Sequence, residues 1–138
     1  MQQWLVKDLM RRNVYKAEPS MSVAQLVRAL VERRITGAPV VDDEGELVGV
    51  VSLVDIAVRA MYPNGDPPLS GEALVETVMT RKVLEVPQDM PVREAVDLFR
   101  NHRVHRLVVT SEGQVVGTLG PVDLLDMVVQ QSRTMVRP

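Results

Sequence analysis

Ala38-Pro39-Val40-Val41-Asp42, followed by Leu47-Val48-Gly49-Val50-Val51-Ser52-Leu53-Val54-Asp55, decides how this chain folds, because the pattern is written twice. The second writing is Leu107-Val108-Val109 and then Val115-Val116-Gly117-Thr118-Leu119-Gly120-Pro121-Val122-Asp123. In each copy two runs rich in β-branched residues flank a polar turn, Asp42-Asp43-Glu44-Gly45 in the first and Ser111-Glu112-Gly113 in the second. That is the signature of a β-hairpin. A helical segment follows each hairpin, near Leu53 to Met61 and near Val122 to Gln131.

The repeat extends upstream. Leu9-Met10 matches Val78-Met79, and Met21-Ser22-Val23 matches Met90-Pro91-Val92, both 69 residues apart as Met10 to Met79 and Met21 to Met90 count. After the shorter second turn, Gly49 and Asp55 match Gly117 and Asp123 with one residue less between them. Val23, Leu26, Val27, Leu30 and Val31 fall at the spacing of one helical face, and Val92, Ala95, Val96 and Phe99 repeat it. Ser22 with Gln25 fits a capping box, whereas the second helix opens on Pro91. Extended pieces at Val14 to Ala17 and Val83 to Val86 complete each unit.

A long unit that occurs only twice points to a pseudo-symmetric pair, since a solenoid needs more repeats to bury its faces. The expected fold class is α+β, with two β-α-β-β-α units. Residues 1–61 form the first with its N-terminal segment, 62–73 a Pro/Gly-rich linker, 74–131 the second unit, and 132–138 a C-terminal tail. Each unit alone leaves a sheet face uncovered, so the two are expected to pack into one module.

Composition narrows the function classes. The 138 residues are 46% hydrophobic and 25% charged with a net charge of -2, so no nucleic-acid partner is expected. Cysteine is absent and the only histidines are His102 and His105, which leaves no thiolate nucleophile and too few ligands for a metal site. The N-terminus lacks signal-peptide features, and no apolar run approaches the roughly 20 residues that span a bilayer. A cytoplasmic chain without a membrane partner is expected. No hydroxyl and histidine set forms a nucleophile, base and orienter, and the glycines lie in turns rather than in a phosphate loop. Asp42-Asp43-Glu44 sits on a hairpin tip and lacks the alternation of a calcium loop. Neither an enzyme nor a resident cofactor or metal is expected.

On these residues the unit resembles a cystathionine-beta-synthase (CBS) motif, and the tandem, over Leu5 to Val129, resembles the CBS pair called a Bateman module. The most specific mark is Gly49-Val50-Val51-Ser52-Leu53-Val54-Asp55, which fits the family pattern of Gly, two apolar residues, Ser or Thr, two residues and Asp. The second copy departs from it, with Gly120 where the hydroxyl stands. The resemblance implies a regulatory module that binds an adenosine-type nucleotide (AMP, ADP, ATP or S-adenosylmethionine) in clefts between the motifs and signals to an effector protein. It implies that Asp55, assisted by Ser52, and Asp123 hold ribose hydroxyls, with the base near Val83 and Leu84. Thr36, Ala38, Pro39 and Leu107 join the ligand-binding set by the same route. His105 and Arg106 precede their strand as a phosphate-contacting His-Arg pair does in nucleotide-binding members of the family. Arginine suits phosphate because its fork of donors stays charged.

The residues also admit a plainer reading. Ser52 and Asp55 form a helix cap, Gly120 and Pro121 an acceptable helix start, and Arg106 a solvated surface cation. The module is then a structural or dimerisation unit without ligand. Either way a homodimer is expected, because Ile56, Ala57, Val58, Ala60 and Met61, and likewise Leu124, Leu125, Met127, Val128 and Val129, surround most of each helix axis. The competing cover for these faces is the N-terminal segment with Trp4 and Leu5.

Overall fold

The computed structural model describes residues 3–62, 69–102, 104 and 106–136. Their contacts resolve into two compact units, one being Tyr15–Val83 and the other joining the chain before Tyr15 to the chain from Leu84 onward.

In the first unit, helix α2 (Val23–Arg33) follows a single helical turn, α1 (Val6–Leu9), that belongs to the other unit. The capping box at its start is formed: Ser22 Oγ accepts the Gln25 amide at 3.1 Å, and Gln25 Oε1 accepts the Ser22 amide at 3.0 Å. The Ala73 and Gly71 carbonyls accept the Val23 and Ala24 amides at 2.8 and 2.9 Å, so the end of the sequence's linker satisfies two more free donors of the first turn. Arg34 closes the helix in the left-handed region, with φ 56°. Leu26 and Leu30 are fully buried, which contributes about 1.5–3 kcal/mol for each. Val31, read from the sequence as part of this face, is 60% exposed. The buried stripe is narrow, carried by Val23, Leu26 and Leu30, and Val31 lies beyond its edge.

Strands β1 (Gly37–Val41) and β2 (Leu47–Ser52) form the first hairpin, pairing Gly37 with Ser52 and Ala38 with Val51. The acidic tip is a turn device: Asp42 Oδ1 accepts the amides of Glu44 and Glu46 at 2.9 and 3.0 Å. Helix α3 (Leu53–Met61) starts on the residue after β2, with no loop between them. The expected strand at Val14 to Ala17 shrinks to one parallel bridge between Ala17 and Val40. In the second unit Val108 donates to the Leu84 carbonyl at 3.1 Å, but its counterpart here is Pro39, which has no N–H to offer the Tyr15 carbonyl.

The second unit repeats the design with a fuller sheet. Strand β3 (Glu85–Pro87) pairs parallel to β4 (Leu107–Ser111), which pairs antiparallel to β5 (Gln114–Leu119). Glu112 and Gly113 both take positive φ, 51° and 80°, the backbone a two-residue hairpin turn demands. Helix α4 (Val92–His102) precedes the hairpin and α5 (Pro121–Val136) follows it. Nothing between Val122 and Val136 breaks a helix, so α5 runs into the stretch read as a tail. Val6, Val86, Ala95, Leu107, Val109 and Leu119 form the core of this unit. In the first unit that role falls to Leu26, Leu30, Val40, Val51, Ile56 and Val75.

Each unit therefore takes one segment from outside the hairpin-bearing stretch of its own copy, for a reason written in the repeat. Arg11 exchanges backbone hydrogen bonds with Thr118 at 2.9 and 3.0 Å, while Thr80 does the same with Val50 at 2.9 and 2.8 Å. A Cβ on Gly117 would stand 2.8 Å from the Arg11 carbonyl oxygen and 2.7 Å from Met10 Sδ. On Gly49 it would stand 2.9 Å from both the Thr80 carbonyl oxygen and Met79 Sδ. The repeated methionine and the repeated glycine are thus two sides of one close approach.

Candidate functional site

Within the first unit, Thr36, Ala38, Pro39, Ser52 and Asp55 converge where β2 passes into α3. Pairing of Gly37 with Ser52 sets the start of β1 beside the end of β2, and the Thr36 carbonyl accepts the Leu53 amide at 2.8 Å. Ala38 and Pro39 are buried strand residues. Ser52 is both the last residue of β2 and the N-cap of α3, and its Oγ accepts the Asp55 amide at 3.1 Å. The Asp55 side chain takes no part in that cap. It is exposed, and among the described residues no donor pairs with its carboxylate. Two carboxylate oxygens at the positive end of a helix can accept from two vicinal hydroxyls. Val83, half-buried, also belongs to this unit.

The second unit gathers Leu84, Arg106, Leu107 and Asp123. The Leu84 carbonyl accepts the Val108 amide at 3.1 Å, and Leu107 is fully buried opposite Leu119. His105 lies outside the described residues. Asp123 differs sharply from Asp55. The Asp123 carboxylate turns back on the helix start, where Oδ2 accepts the Gly120 amide at 2.8 Å. Its Oδ1 accepts Arg11 Nε at 2.9 Å, and the side chain is only 11% exposed against 63% for Arg11. Arg106 is half-buried rather than the solvated cation of the plainer reading. Burial holds its pKa below the usual arginine value, Asp123 opposes that shift, and Arg11 adds to it.

Arg11, the partner of Asp123, is absent from the expected set of residues. Its signal was available, since the repeat places Arg11 opposite Thr80, a cation against a neutral residue at matched positions. A surface groove in the second unit, lined by Trp4, Val96, Asp97, Arg100 and Met127 among others, includes none of the expected ligand-binding residues.

Each unit is thus a hairpin strand feeding an aspartate-bearing helix start. The chain belongs to the CBS domain family, whose model matches residues 6–61 and 75–130. Among solved structures it is similar to CBSX2 in complex with AMP, 29% identical with a TM-score of 0.79, over 92% of this chain and 97% of that one. It is also similar to the CBS domain pair of protein MJ0100 in complex with 5'-methylthioadenosine and S-adenosyl-L-methionine, 26% identical with a TM-score of 0.79, over 91% of this chain and 99% of that one. Inosine-5'-monophosphate dehydrogenase of Halobacterium salinarum is 31% identical over 117 residues, which are 84% of this chain and 22% of the dehydrogenase. An uncharacterized protein of Methanocaldococcus jannaschii, MJ1426, is 27% identical and matched over 91% of both chains. No helix among the described residues is long and apolar enough to cross a membrane.

Proposed function

We propose that this chain is a regulatory module that binds an adenosine-type nucleotide, with the ribose hydroxyls on Asp55 and Ser52, and passes its occupancy to an effector protein in the cytoplasm. It carries out no chemistry itself. The observation that supports this most is the Asp55 carboxylate, exposed at the start of α3 with no donor on it among the described residues. Relatives solved with AMP and with S-adenosyl-L-methionine support the ligand class. Thr36, Ala38 and Pro39 are assigned to the ribose position and the half-buried Val83 and Leu84 to the base, with Arg106 and His105 on phosphate, while Leu107 is fully buried and offers the ligand no side-chain surface.

A second copy of the chain is proposed to cover the exposed apolar side chains of α3 and α5. Val54, Val58 and Met61 on the first, and Val122, Leu125, Val128 and Val129 on the second, all stand open to solvent. A thermal-shift series over AMP, ADP, ATP and S-adenosylmethionine tests the ligand. Occupancy at 100 times the dissociation constant stabilises the native state by about 2.7 kcal/mol, enough to raise the midpoint by several degrees. A flat response to all four at millimolar concentration contradicts the reading and favours the alternative, a dimerisation module without ligand. That alternative draws its own support from Asp123, whose carboxylate is already engaged.

A further inference from the structure

We infer that Arg11 closes the Asp123 half-site to a ribose, so that each chain holds one adenosine-type ligand, at Asp55. The inference rests on the nucleotide-binding reading and adds its stoichiometry and the residue that sets it.

Two differences between the copies act together. The first is at the helix start. Ser52 Oγ takes the Asp55 amide and the Asp55 carboxylate stays exposed with no donor on it among the described residues, whereas at the second helix start Asp123 uses one of its own oxygens to hold the Gly120 amide. The second is on the neighbouring segment. Arg11 and Thr80 occupy the same backbone place, each exchanging two hydrogen bonds with the hairpin strand five residues before the aspartate, at Thr118 and Val50. From that place the arginine side chain reaches Asp123 Oδ1 at 2.9 Å. Threonine carries no charge and lacks the three-carbon stem, and Asp55 keeps no partner among the described residues.

A vicinal diol binds a carboxylate by donating to both oxygens, which must face the sugar together. At Asp123 one oxygen is committed to a backbone amide and the other to a guanidinium, on a side chain with little solvent access. A ribose there must displace the Arg11 guanidinium, whereas the oxygen on the Gly120 amide keeps a second lone pair that a hydroxyl can use once the arginine is gone. At Asp55 no donor among the described residues has to be displaced. The closure is also set by a replaceable side chain, because the backbone pairing that positions residue 11 uses no atom of the arginine side chain.

Calorimetric titration of the full chain with AMP tests this in the parent, Arg11→Thr and Thr80→Arg. The parent should bind one AMP per chain, Arg11→Thr should gain a second, and Thr80→Arg should weaken the remaining site at least tenfold by placing a guanidinium within reach of Asp55. Two sites in the parent, or one site of unchanged affinity in Arg11→Thr, overturn the closure while leaving nucleotide binding intact. Absence of binding in both parent and Arg11→Thr overturns the functional reading and the closure with it. Should Arg11→Thr fail to fold, Thr80→Arg decides alone, and parental affinity in that variant contradicts the mechanism.

Discussion

Ser52 Oγ accepts the Asp55 amide at 3.1 Å, so the serine that caps α3 is tied to the aspartate three residues later. Replacing it with alanine removes the cap, and the loss of an N-cap oxygen costs about 1 kcal/mol. Urea unfolding of Ser52→Ala should show that loss, and AMP affinity should fall with the removal of the hydroxyl beside the proposed ribose position. Unchanged stability together with unchanged affinity contradicts the dual role.

Gly49 is packed against the segment that carries Thr80. An alanine Cβ there would stand 2.9 Å from the Thr80 carbonyl oxygen, a backbone atom that cannot step aside. Overpacking of this kind costs typically 1–3 kcal/mol. Gly49→Ala should lower the denaturation midpoint accordingly, and a variant as stable as the parent shows that the approach of the two segments is looser than described.

Arg106 meets phosphate in the proposed reading, and adenosine offers it nothing to pair with. A hydrogen bond to a charged group contributes about 1.5–3 kcal/mol, so Arg106→Ala should narrow the gap between AMP and adenosine affinities by about tenfold or more. If both affinities fall by the same factor, Arg106 acts through its surroundings, Asp123 and Arg11, and not on phosphate.

Val128 lies 55% exposed on α5, in line with other uncovered apolar residues. Light scattering of the parent should give the mass of two chains, and Val128→Glu should give the 15.4 kDa of one. A parent of one-chain mass removes the dimer. Met127 was grouped with Val128 in the sequence reading, but it packs against the core of its own unit and is a poorer choice for this test.

The fold was legible because its signals are local and duplicated. Hairpin turns, the Ser22 and Gln25 box and the helix starts after each β2-type strand all follow from nearest-neighbour chemistry. Contacts between segments distant in sequence were harder to read. The repeated methionines announced a recurring element, yet the pairing of Arg11 with Thr118 and of Thr80 with Val50 joins residues whose spacing carries no periodic mark. The candidate site divides in the same way. Asp55 was legible from its motif, while the fate of Asp123 depended on a residue 112 positions away. Gly120 is a departure legible in the sequence, whereas the carboxylate turned inward to hold its amide appears only in three dimensions.

Calorimetric titration of AMP into the parent and into Asp55→Ala tests the central claim most directly. The variant loses a favourable charge near a helix start, worth about 0.3–1 kcal/mol, so it should stay folded with a midpoint close to the parent's. Its AMP affinity should fall at least tenfold, because two hydrogen bonds from the ribose lose their acceptor. Equal affinities for AMP in a folded Asp55→Ala and in the parent contradict the account.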